Sequence, residues 1–360
     1  MSLKARIAAL VEAQGPMSVA QFMTIALLDP KDGYYPNREA IGAAGDFITA
    51  PEVSQMFGEM IGLWLVQVWA DQGCPKNPRL VELGPGRGTL MADILRTAAV
   101  APEFLADLDV VMIEASPVMQ AQQADKLRGL GADLSWQAQF DDHLGDRPLF
   151  LVANEFFDAL PVRQYVKTDR GWCERMVTAL DGALQFALAP VPAPKTSVPA
   201  GREAAPDGGV FETSHASTAL AEEISCIIAT KGGAGLILDY GYGEAAGFSE
   251  TLQAVSGHRF AEVLYDPGQG DISAHVDFAA LAAAGKRGGT SVFGPTTQGM
   301  FLANIGITER AEQLMKANPE SSRDLLTAIE RLIGNDQMGQ LFKVLAFAPS
   351  SITDMPGFTT

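Results

Sequence analysis

Long apolar segments are absent from this 360-residue chain, and none reaches the roughly 20 residues that a membrane-spanning helix needs. The longest candidate, residues 60–70, is interrupted by Gln67. The N-terminal residues contain neither a long apolar core nor a small-residue cleavage site, so the sequence predicts no signal peptide. Glu12 also disfavours a transit peptide, because such peptides are poor in acidic residues. We therefore expect no membrane insertion.

Cysteine and histidine are scarce and scattered. Cys74, Cys173 and Cys226 lie far apart and form no Cys-x-x-Cys pair, which is typical of reduced thiols in the cytoplasm. The four histidines are equally dispersed. Because a metal site needs converging ligands at short spacings, we predict that the protein binds no metal.

Positive charge is also low: 26 lysines and arginines stand against 43 acidic residues, for a net charge of −17. The field of such a protein repels phosphate backbones and attracts cationic partners. Without a local basic patch, nucleic acid is excluded as a substrate class. Hydrophobic residues make up 47% of the chain, enough to bury the core of one large domain or of a domain with an insertion.

Strands and helices alternate along the chain from residue 79 onward. This order predicts a doubly wound α/β fold with right-handed crossovers and helices on both faces of the sheet. Residues 149–153 lack polar alternation, as expected of a strand buried on both faces. We expect a seven-stranded sheet whose last strand is antiparallel to the rest. The predicted strands are 79–83, 108–113, 134–140, 149–153, 235–240, 291–293 and 342–347; the predicted helices include 89–99, 116–128, 218–231, 276–284 and 322–332.

The rest of the chain divides by composition. Two short helices occupy residues 1–30, with Ser18 as N-cap of the second, and residues 33–36 break the helical pattern. Two hairpin-like turns after Pro161 predict antiparallel strands, followed by a Pro- and Ala-rich loop. The predicted divisions are an N-terminal helical cap and cofactor lid at 1–56, a cofactor-binding half at 57–161, the antiparallel insertion and loop at 162–210, and the remaining core with the substrate region at 211–360.

A glycine-rich turn between the first core strand and its helix is the clearest motif. Glu82 is followed by Gly84, Gly86 and Gly88, and glycines let a backbone approach a ligand closely. Ligands bind at this carboxyl end of the strands in open α/β sheets. Thr89 stands where a dinucleotide loop has its third glycine, and no phosphate-loop Gly-Lys-Ser/Thr is present. S-adenosylmethionine carries an ammonium and a sulfonium and no phosphate, so Glu82 favours this cofactor.

Two further acidic positions follow the next two strands. Glu114 can accept hydrogen bonds from both ribose hydroxyls, as the equivalent acid does in dinucleotide enzymes. Asp141 or Asp142 can accept from the adenine amino group. Taken singly, the glycine turn could be an ordinary turn and Glu114 a surface acid. Acids at three successive strand ends together favour an S-adenosylmethionine site.

Several more specific segments occur in order along the chain, among them Asp46 to Glu59 and the Asn-Glu-Phe-Phe-Asp-Ala-Leu-Pro run that begins at Asn154. With them the chain resembles the MidA family of methyltransferases, whose eukaryotic members are mitochondrial assembly factors for respiratory complex I. It departs from the family pattern at Ala50, where serine is usual. The matching segments are 33–35, 45–59, 82–90, 154–161, 270–278 and 338–347.

The resemblance implies a class I methyltransferase fold, S-adenosylmethionine as cofactor and arginine in a protein as substrate. It also implies a role in complex I biogenesis through a hydrophilic subunit on the quinone side. Because no transit peptide is predicted, we expect a bacterial, cytoplasmic member of the family.

An arginine substrate suggests what the residues after the fourth strand do. Guanidinium is protonated at ordinary pH, and two carboxylates can hold its fork with charge-assisted hydrogen bonds. Glu155 and Asp158 are predicted to form this clamp, with Asn154 orienting the acceptor. Alternatively, Asp158 caps a turn and Glu155 pairs with a neighbouring arginine. His275 is a candidate base or orienting group, although a helix start also explains it.

Residues 45–55 precede the core and are predicted to fold over the cofactor as a lid. Thr49, Ser54 and Gln55 offer small polar groups for this contact. Thr49 as a helix N-cap before Pro51 and Glu52 fits the same residues.

Three functions remain open at this point. The first is a protein-arginine methyltransferase, and the second a methyltransferase for a small molecule or another nitrogen or oxygen acceptor. The third is an assembly factor that binds the cofactor but acts by holding a partner, for which residues 162–209 offer a surface. The presence of both Glu82 and Glu114 favours catalysis.

Overall fold

The computed structural model describes residues 1–37, 49–198, 202, 205–243, 248 and 250–358. The predicted lid residues 45–48 lie outside the described residues. In the described part of the chain, the helices are α1 Leu3–Gln14, α2 Val19–Leu28, α3 Tyr34–Asn37, α4 Ala50–Val53, α5 Gln55–Asp71, α6 Thr89–Ala98, α7 Pro102–Ala106, α8 Pro117–Lys126, α9 His215–Lys231, α10 Phe278–Arg287, α11 Gln298–Asn304, α12 Ile307–Ala317, α13 Ser322–Ile333 and α14 Met338–Leu341.

The strands of the same ranges are β1 Met17–Ser18, β2 Arg79–Leu83, β3 Asp109–Ile113, β4 Asp133–Gln137, β5 Leu149–Asn154, β6 Arg163–Thr168, β7 Gly171–Leu180, β8 Ala183–Leu188, β9 Val210–Thr213, β10 Gly233–Tyr242, β11 Gln253–Ser256, β12 Arg259–Ala261, β13 Asp271–Ser273, β14 Val276–Asp277, β15 Ser291–Thr297 and β16 Phe342–Ala348.

The chain folds into two compact units, each assembled from three segments. The accessory unit comprises Met1–Arg38, Asp158–Ser217 and Glu244–Asp277, and the core unit comprises Glu39–Phe157, Thr218–Gly243 and Phe278–Thr360. The chain passes from the core unit to the accessory unit directly after Phe157.

The largest sheet of the described residues is a mixed sheet of eight strands. Its main path runs β15-β16-β10-β5-β2-β3-β4. The neighbours from β10 to β4 pair in parallel, whereas β16 is antiparallel to both β10 and β15. The expected seven strands are therefore too few, although the antiparallel last strand is confirmed. The additional strand is β14, which the sequence assigned to a helix because two residues are too few to show an alternating pattern.

Helices cover both faces of this sheet, as predicted. Leu236 and Leu238 belong to the same buried cluster as the apolar residues of α5 and α6. Side chains alternate along a strand, so Gly235 points to the opposite face. A Cβ at Gly235 would lie 3.3 Å from Ile228 of α9 and 3.5 Å from Phe347. β5 is buried along its whole length, which explains its unbroken apolar sequence.

In the accessory unit, two helices lie beside antiparallel strands. Ser18 caps α2 as predicted, since its hydroxyl accepts the Gln21 amide at 3.1 Å and the Gln21 side chain accepts the Ser18 amide at 2.9 Å. The strands expected between 162 and 189 are present as the antiparallel β6, β7 and β8. One expectation was wrong: Tyr34–Asn37 forms a helical turn where a break in the helical pattern was predicted. The β12-β11-β13 sheet was not predicted from the sequence.

Candidate functional site

The loop from β2 to α6 depends on three glycines in the left-handed region. Gly84, Gly86 and Gly88 have φ values of 61°, 50° and 72°, which cost little only for residues without a Cβ. A Cβ at Gly84 would lie 2.8 Å from the Phe156 ring, whereas a Cβ at Gly86 would meet nothing within 4 Å. The middle of the loop therefore faces open space, where a ligand can approach the backbone.

Glu82 lies under this loop and is 3% exposed. Its Oε2 accepts no hydrogen bond from any described residue. Burial raises the pKa of Glu82 to about 8, and a hydrogen bond from the Met91 backbone amide acts in the opposite direction. The charged form of a buried carboxyl is stabilised by a hydrogen-bond donor or by a nearby cation. The ammonium of S-adenosylmethionine is both.

Glu114 follows β3, and it is half-buried. Its Oε1 accepts the Ser116 amide at 2.8 Å, and its Oε2 accepts Gln123 Nε2 at 3.2 Å. Burial raises the pKa of Glu114, and these hydrogen bonds partly offset the shift. A carboxylate has about four lone-pair positions, so acceptor capacity remains for two ribose hydroxyls.

Gln123 of α8 joins three parts of the site. This role was not predicted from the sequence. Besides Glu114, its Nε2 contacts the Gly86 carbonyl at 2.7 Å, and its Oε1 accepts Trp136 Nε1 at 2.8 Å. The side chain is fully buried. It fixes the glycine loop relative to the ends of β3 and β4. A glutamine inside a helix carries no motif, so only the fold shows this role.

Two more buried acceptors lie at the carboxyl ends of two other strands of this sheet. Gln137 Oε1, at the end of β4, and Asn154 Oδ1, at the end of β5, accept no hydrogen bond from the described residues. Leaving a buried polar atom unsatisfied costs about 1–3 kcal/mol. Together with Glu82, they form a row of acceptors along one edge of one sheet. S-adenosylmethionine offers ammonium, hydroxyl and amino donors, so these residues fit it.

Asp141 and Asp142, the two acids predicted to contact adenine, follow β4. Asp141 Oδ1 accepts the His143 amide at 3.0 Å and so caps the short helical turn Asp142–Asp146. The side chain of Asp142 lies outside the described residues. Asp141 therefore has a capping role in this structure, and contact with adenine stays a prediction for both acids.

The three predicted lid residues have structural roles at helix ends. Thr49 occupies the N-cap position of α4, but its side chain makes no capping bond. Ser54 caps α5 by accepting the Met56 amide at 3.2 Å. Gln55 is exposed, and its Nε2 donates to Glu59 at 3.1 Å. Their contact with a cofactor stays a prediction.

Helix α4 itself contacts the site through two of its residues, Ala50 and Glu52. The Ala50 amide donates to Glu155 Oε1 at 3.0 Å. Glu52 Oε1 accepts the Thr89 hydroxyl at 2.6 Å, at the start of α6. The segment after residue 48 thus contacts both the glycine-loop helix and the turn after β5.

The turn after β5 places Asn154 and Glu155 at the strand-end edge. Asn154 is 9% exposed, and its Nδ2 donates to Glu155 Oε1 at 3.2 Å. Glu155 has φ +51° although it is not a glycine, a conformation that is uncommon and often functional. Its amide donates to the Leu238 carbonyl at 2.9 Å. The sequence named both residues but gave no sign of this backbone conformation.

Asp158 and His275 belong to the accessory unit. The Asp158 carbonyl accepts the Ala274 amide at 3.0 Å, and the His275 amide donates to Thr251 Oγ1 at 2.9 Å. Burial, then the charges of Asp271 and Asp158, raise the pKa of Tyr35, whose hydroxyl donates to Asp271 at 2.9 Å. Asp158 thus has a second acid and a tyrosine nearby, and the clamp with Glu155 stays a prediction.

The described ranges also bear on metal binding and on membrane spanning. No group of three or more His, Cys, Asp or Glu side chains in them could hold a metal ion. None of the helices in those ranges is long and apolar enough to cross a membrane.

Comparisons with known proteins agree with this geometry. A family model described as S-adenosyl-L-methionine-dependent methyltransferase matches residues 60–296. The chain is 35% identical to the human protein arginine methyltransferase NDUFAF7, mitochondrial, over 94% of this chain and 81% of that protein. The zebrafish (Danio rerio) protein of the same name is 34% identical, over 95% and 86%.

A solved structure extends the likeness to the whole fold. The crystal structure of a COG1565 superfamily protein from Burkholderia thailandensis, bound to S-adenosyl-homocysteine, aligns with this chain with a TM-score of 0.86 and 30% identity. The alignment covers 99% of this chain and 94% of that one. The fold, the glycine loop and the row of strand-end acceptors define an S-adenosylmethionine-dependent methyltransferase. Within that class, the chain belongs to the MidA family.

Proposed function

We propose that this methyltransferase transfers the methyl group to an arginine side chain of a protein partner. The observation that carries the proposal is the placement of Glu155, whose carboxylate is fixed at the edge of the sheet that holds Glu82 and Asn154. A carboxylate at that edge suits a cationic acceptor. The arginine methyltransferase names of the mitochondrial relatives support the same substrate.

In this proposal, the cofactor-binding residues divide by the part of S-adenosylmethionine that they contact. Glu82 and the loop of Gly84, Gly86 and Gly88 hold the methionine end, and Glu114 holds the ribose. Gln137 and Asp141 or Asp142 accept from adenine. When bound, the cofactor supplies an electrophilic methyl group.

The acceptor residues align and activate the nucleophile. Methyl transfer to nitrogen is an in-line displacement, so correct placement of the acceptor provides much of the rate. Glu155 and Asp158 are proposed to hold the guanidinium fork, which concentrates positive charge on the bound nitrogens and leaves electron density on the attacking one. Asn154 Oδ1 accepts from the guanidinium, and His275 orients the acceptor or takes its proton.

The segment before α5 is proposed to cover the cofactor. Ala50 and Glu52 already contact the turn after β5 and the start of α6. A lid attached at both points would close water out when the cofactor binds. Thr49, Ser54 and Gln55 would then contribute polar groups to the covered site.

The proposed partner is a protein with an accessible arginine, in particular a hydrophilic subunit of respiratory complex I. The net charge of −17 would speed encounter with a basic segment of such a partner. Cys74, Cys173 and Cys226 are all free thiols, which supports a reducing compartment such as the bacterial cytoplasm.

The test is incubation of the purified protein with S-adenosylmethionine labelled in the methyl group and a lysate of a bacterium that contains complex I. Labelled protein should be found, and its hydrolysate should contain labelled methylarginine. Label only in small molecules would favour a small-molecule methyltransferase. Tight cofactor binding without any transfer would favour an assembly factor that works by partner binding.

A further inference from the structure

A buried aspartate in β10 holds the turn that carries the acceptor residues. Asp239 is fully buried. Its Oδ2 accepts the backbone amides of Phe156 at 3.2 Å and Phe157 at 2.9 Å, and its Oδ1 accepts the Tyr240 amide at 2.9 Å. One carboxylate therefore binds two consecutive amides of a neighbouring turn.

Those two amides directly follow Glu155, the residue with φ +51°. A residue with a side chain stays in the left-handed region only when its surroundings fix it there. The Leu238 carbonyl accepts the Glu155 amide at 2.9 Å, and Asp239 binds the next two amides. Two residues within β10 thus hold the backbone of this turn at three successive residues.

The Glu155 side chain is fixed by other contacts. Its Oε1 accepts the Ala50 amide and Asn154 Nδ2. The carboxylate can keep these contacts only while the backbone stays in its present conformation. Both carboxylate oxygens accept backbone amides here, whereas an amide side chain has one acceptor oxygen and a hydroxyl has a single oxygen. Asp239 is therefore better suited to this task than an amide or hydroxyl.

We infer that Asp239 is a positioning residue for methyl transfer: it acts through the backbone of the turn to set the orientation of Glu155 toward the acceptor. The inference rests on the proposed function, because it assumes that Glu155 contacts the acceptor. Asp239 itself touches neither substrate nor cofactor in this account.

The first test is a double-mutant cycle with Asp239→Asn, Glu155→Ala and the double variant, assayed on the protein that the labelling experiment identifies. Asp239→Asn keeps the shape but replaces one acceptor oxygen by a donor, so kcat should fall about ten- to a hundredfold, as expected for a small misplacement. Binding of S-adenosyl-homocysteine should stay within about twofold of the unchanged protein. In the Glu155→Ala background, Asp239→Asn should have no further effect, because both act through one group.

Asp93→Asn is the matched control, since Asp93 is another buried acid of the core unit, at 1% exposure. It should lower stability and leave kcat unchanged. Multiplied effects in the double variant, or a wild-type kcat in Asp239→Asn, would overturn the inference.

The second test does not depend on the acceptor. Hydrogen exchange of the Phe156 and Phe157 amides should be faster in Asp239→Asn than in the unchanged protein, while exchange in the β2 and β3 strands stays the same. Unchanged protection of the two amides would refute the positioning role. Absence of arginine methylation by the unchanged protein would instead refute the proposed function, and the exchange result would still decide whether Asp239 holds the turn.

Discussion

The glycine loop after β2 and the turn after β5 lie at the same edge of one sheet, but their backbones are held in different ways. The loop has three left-handed residues, and all three are glycines. The turn has one left-handed residue, Glu155, which carries a side chain. Its conformation depends on Leu238 and Asp239 in β10 and is accompanied by a contact with Ala50.

This difference suggests a division of work between the two regions. A cofactor loop needs close backbone approach, which glycine provides locally. The proposed acceptor region would need a charged side chain aimed in one direction, and a glycine cannot supply it. The necessary strain is therefore stabilised by residues that are distant in sequence. The comparison predicts that changes in the loop lower stability. Changes in the turn should reduce methyl transfer while the protein still folds.

The largest effect is expected from Glu155→Gln, which keeps the shape of the side chain but removes its charge. Methyl transfer to arginine should fall about a hundredfold or more, while S-adenosyl-homocysteine affinity by calorimetry stays close to that of the unchanged protein. The matched control is Glu103→Gln, an exposed glutamate of the same unit, which should transfer normally. A fully active Glu155→Gln would mean that the acid is structural and that the acceptor is not a guanidinium.

A change on the cofactor side should have the opposite signature. Glu114→Ala should weaken S-adenosyl-homocysteine binding by about 1–3 kcal/mol, the range for hydrogen bonds to a charged group. Calorimetry measures this directly, and NAD should give no binding heat with either protein. Unchanged affinity in the variant would remove Glu114 from the ribose site, and tight NAD binding would contradict the cofactor assignment.

Two alanine substitutions separate backbone strain from steric crowding within the loop. Gly86→Ala places its Cβ in open space, so only the φ strain of about 1–2 kcal/mol should appear. Gly84→Ala adds a clash with Phe156, so its total loss of stability should be about 1–3 kcal/mol larger. Urea unfolding without cofactor measures both. Equal losses would show that the Phe156 ring moves aside freely and does not link the loop to the turn.

The last predicted effect is a pH dependence of stability from Glu82. Burial raises its folded pKa to about 8, above the ordinary 4.5, so the folded state binds more protons than the unfolded state between these values. Without cofactor, stability should therefore be greatest below this window and fall as pH rises through it, by at most about 1.4 kcal/mol per unit. Glu82→Gln should flatten this slope in urea unfolding at several pH values. A slope that persists in Glu82→Gln would assign it to another group.

Local sequence signals predicted much of the core unit. Apolar runs located the seven strands of the main path, and the glycine pattern located the left-handed loop after β2. The acids at strand ends singled out Glu82 and Glu114, whose contact with the cofactor stays a prediction. Glu155 was named from the motif that contains it. Each of these signals extends over a few adjacent residues, which is why the sequence carries it. The family resemblance is confirmed by the comparisons, and the hypothesis of an arginine substrate came from that resemblance.

The tertiary structure alone decided how these pieces are held. Gln123, Gln137 and Asp239 carry no motif, and they come near the glycine loop and the turn after β5 only because one sheet places β10, β5, β2, β3 and β4 in this order. The two-residue β14 and the β12-β11-β13 sheet were missed because short strands have no periodicity that a sequence can show. The amino-acid sequence by itself fixed where glycine permits a left-handed backbone. That Glu155 adopts the same conformation follows from partners more than 80 residues away along the chain, because hydrogen bonds across a fold can stabilise strain that local preference opposes.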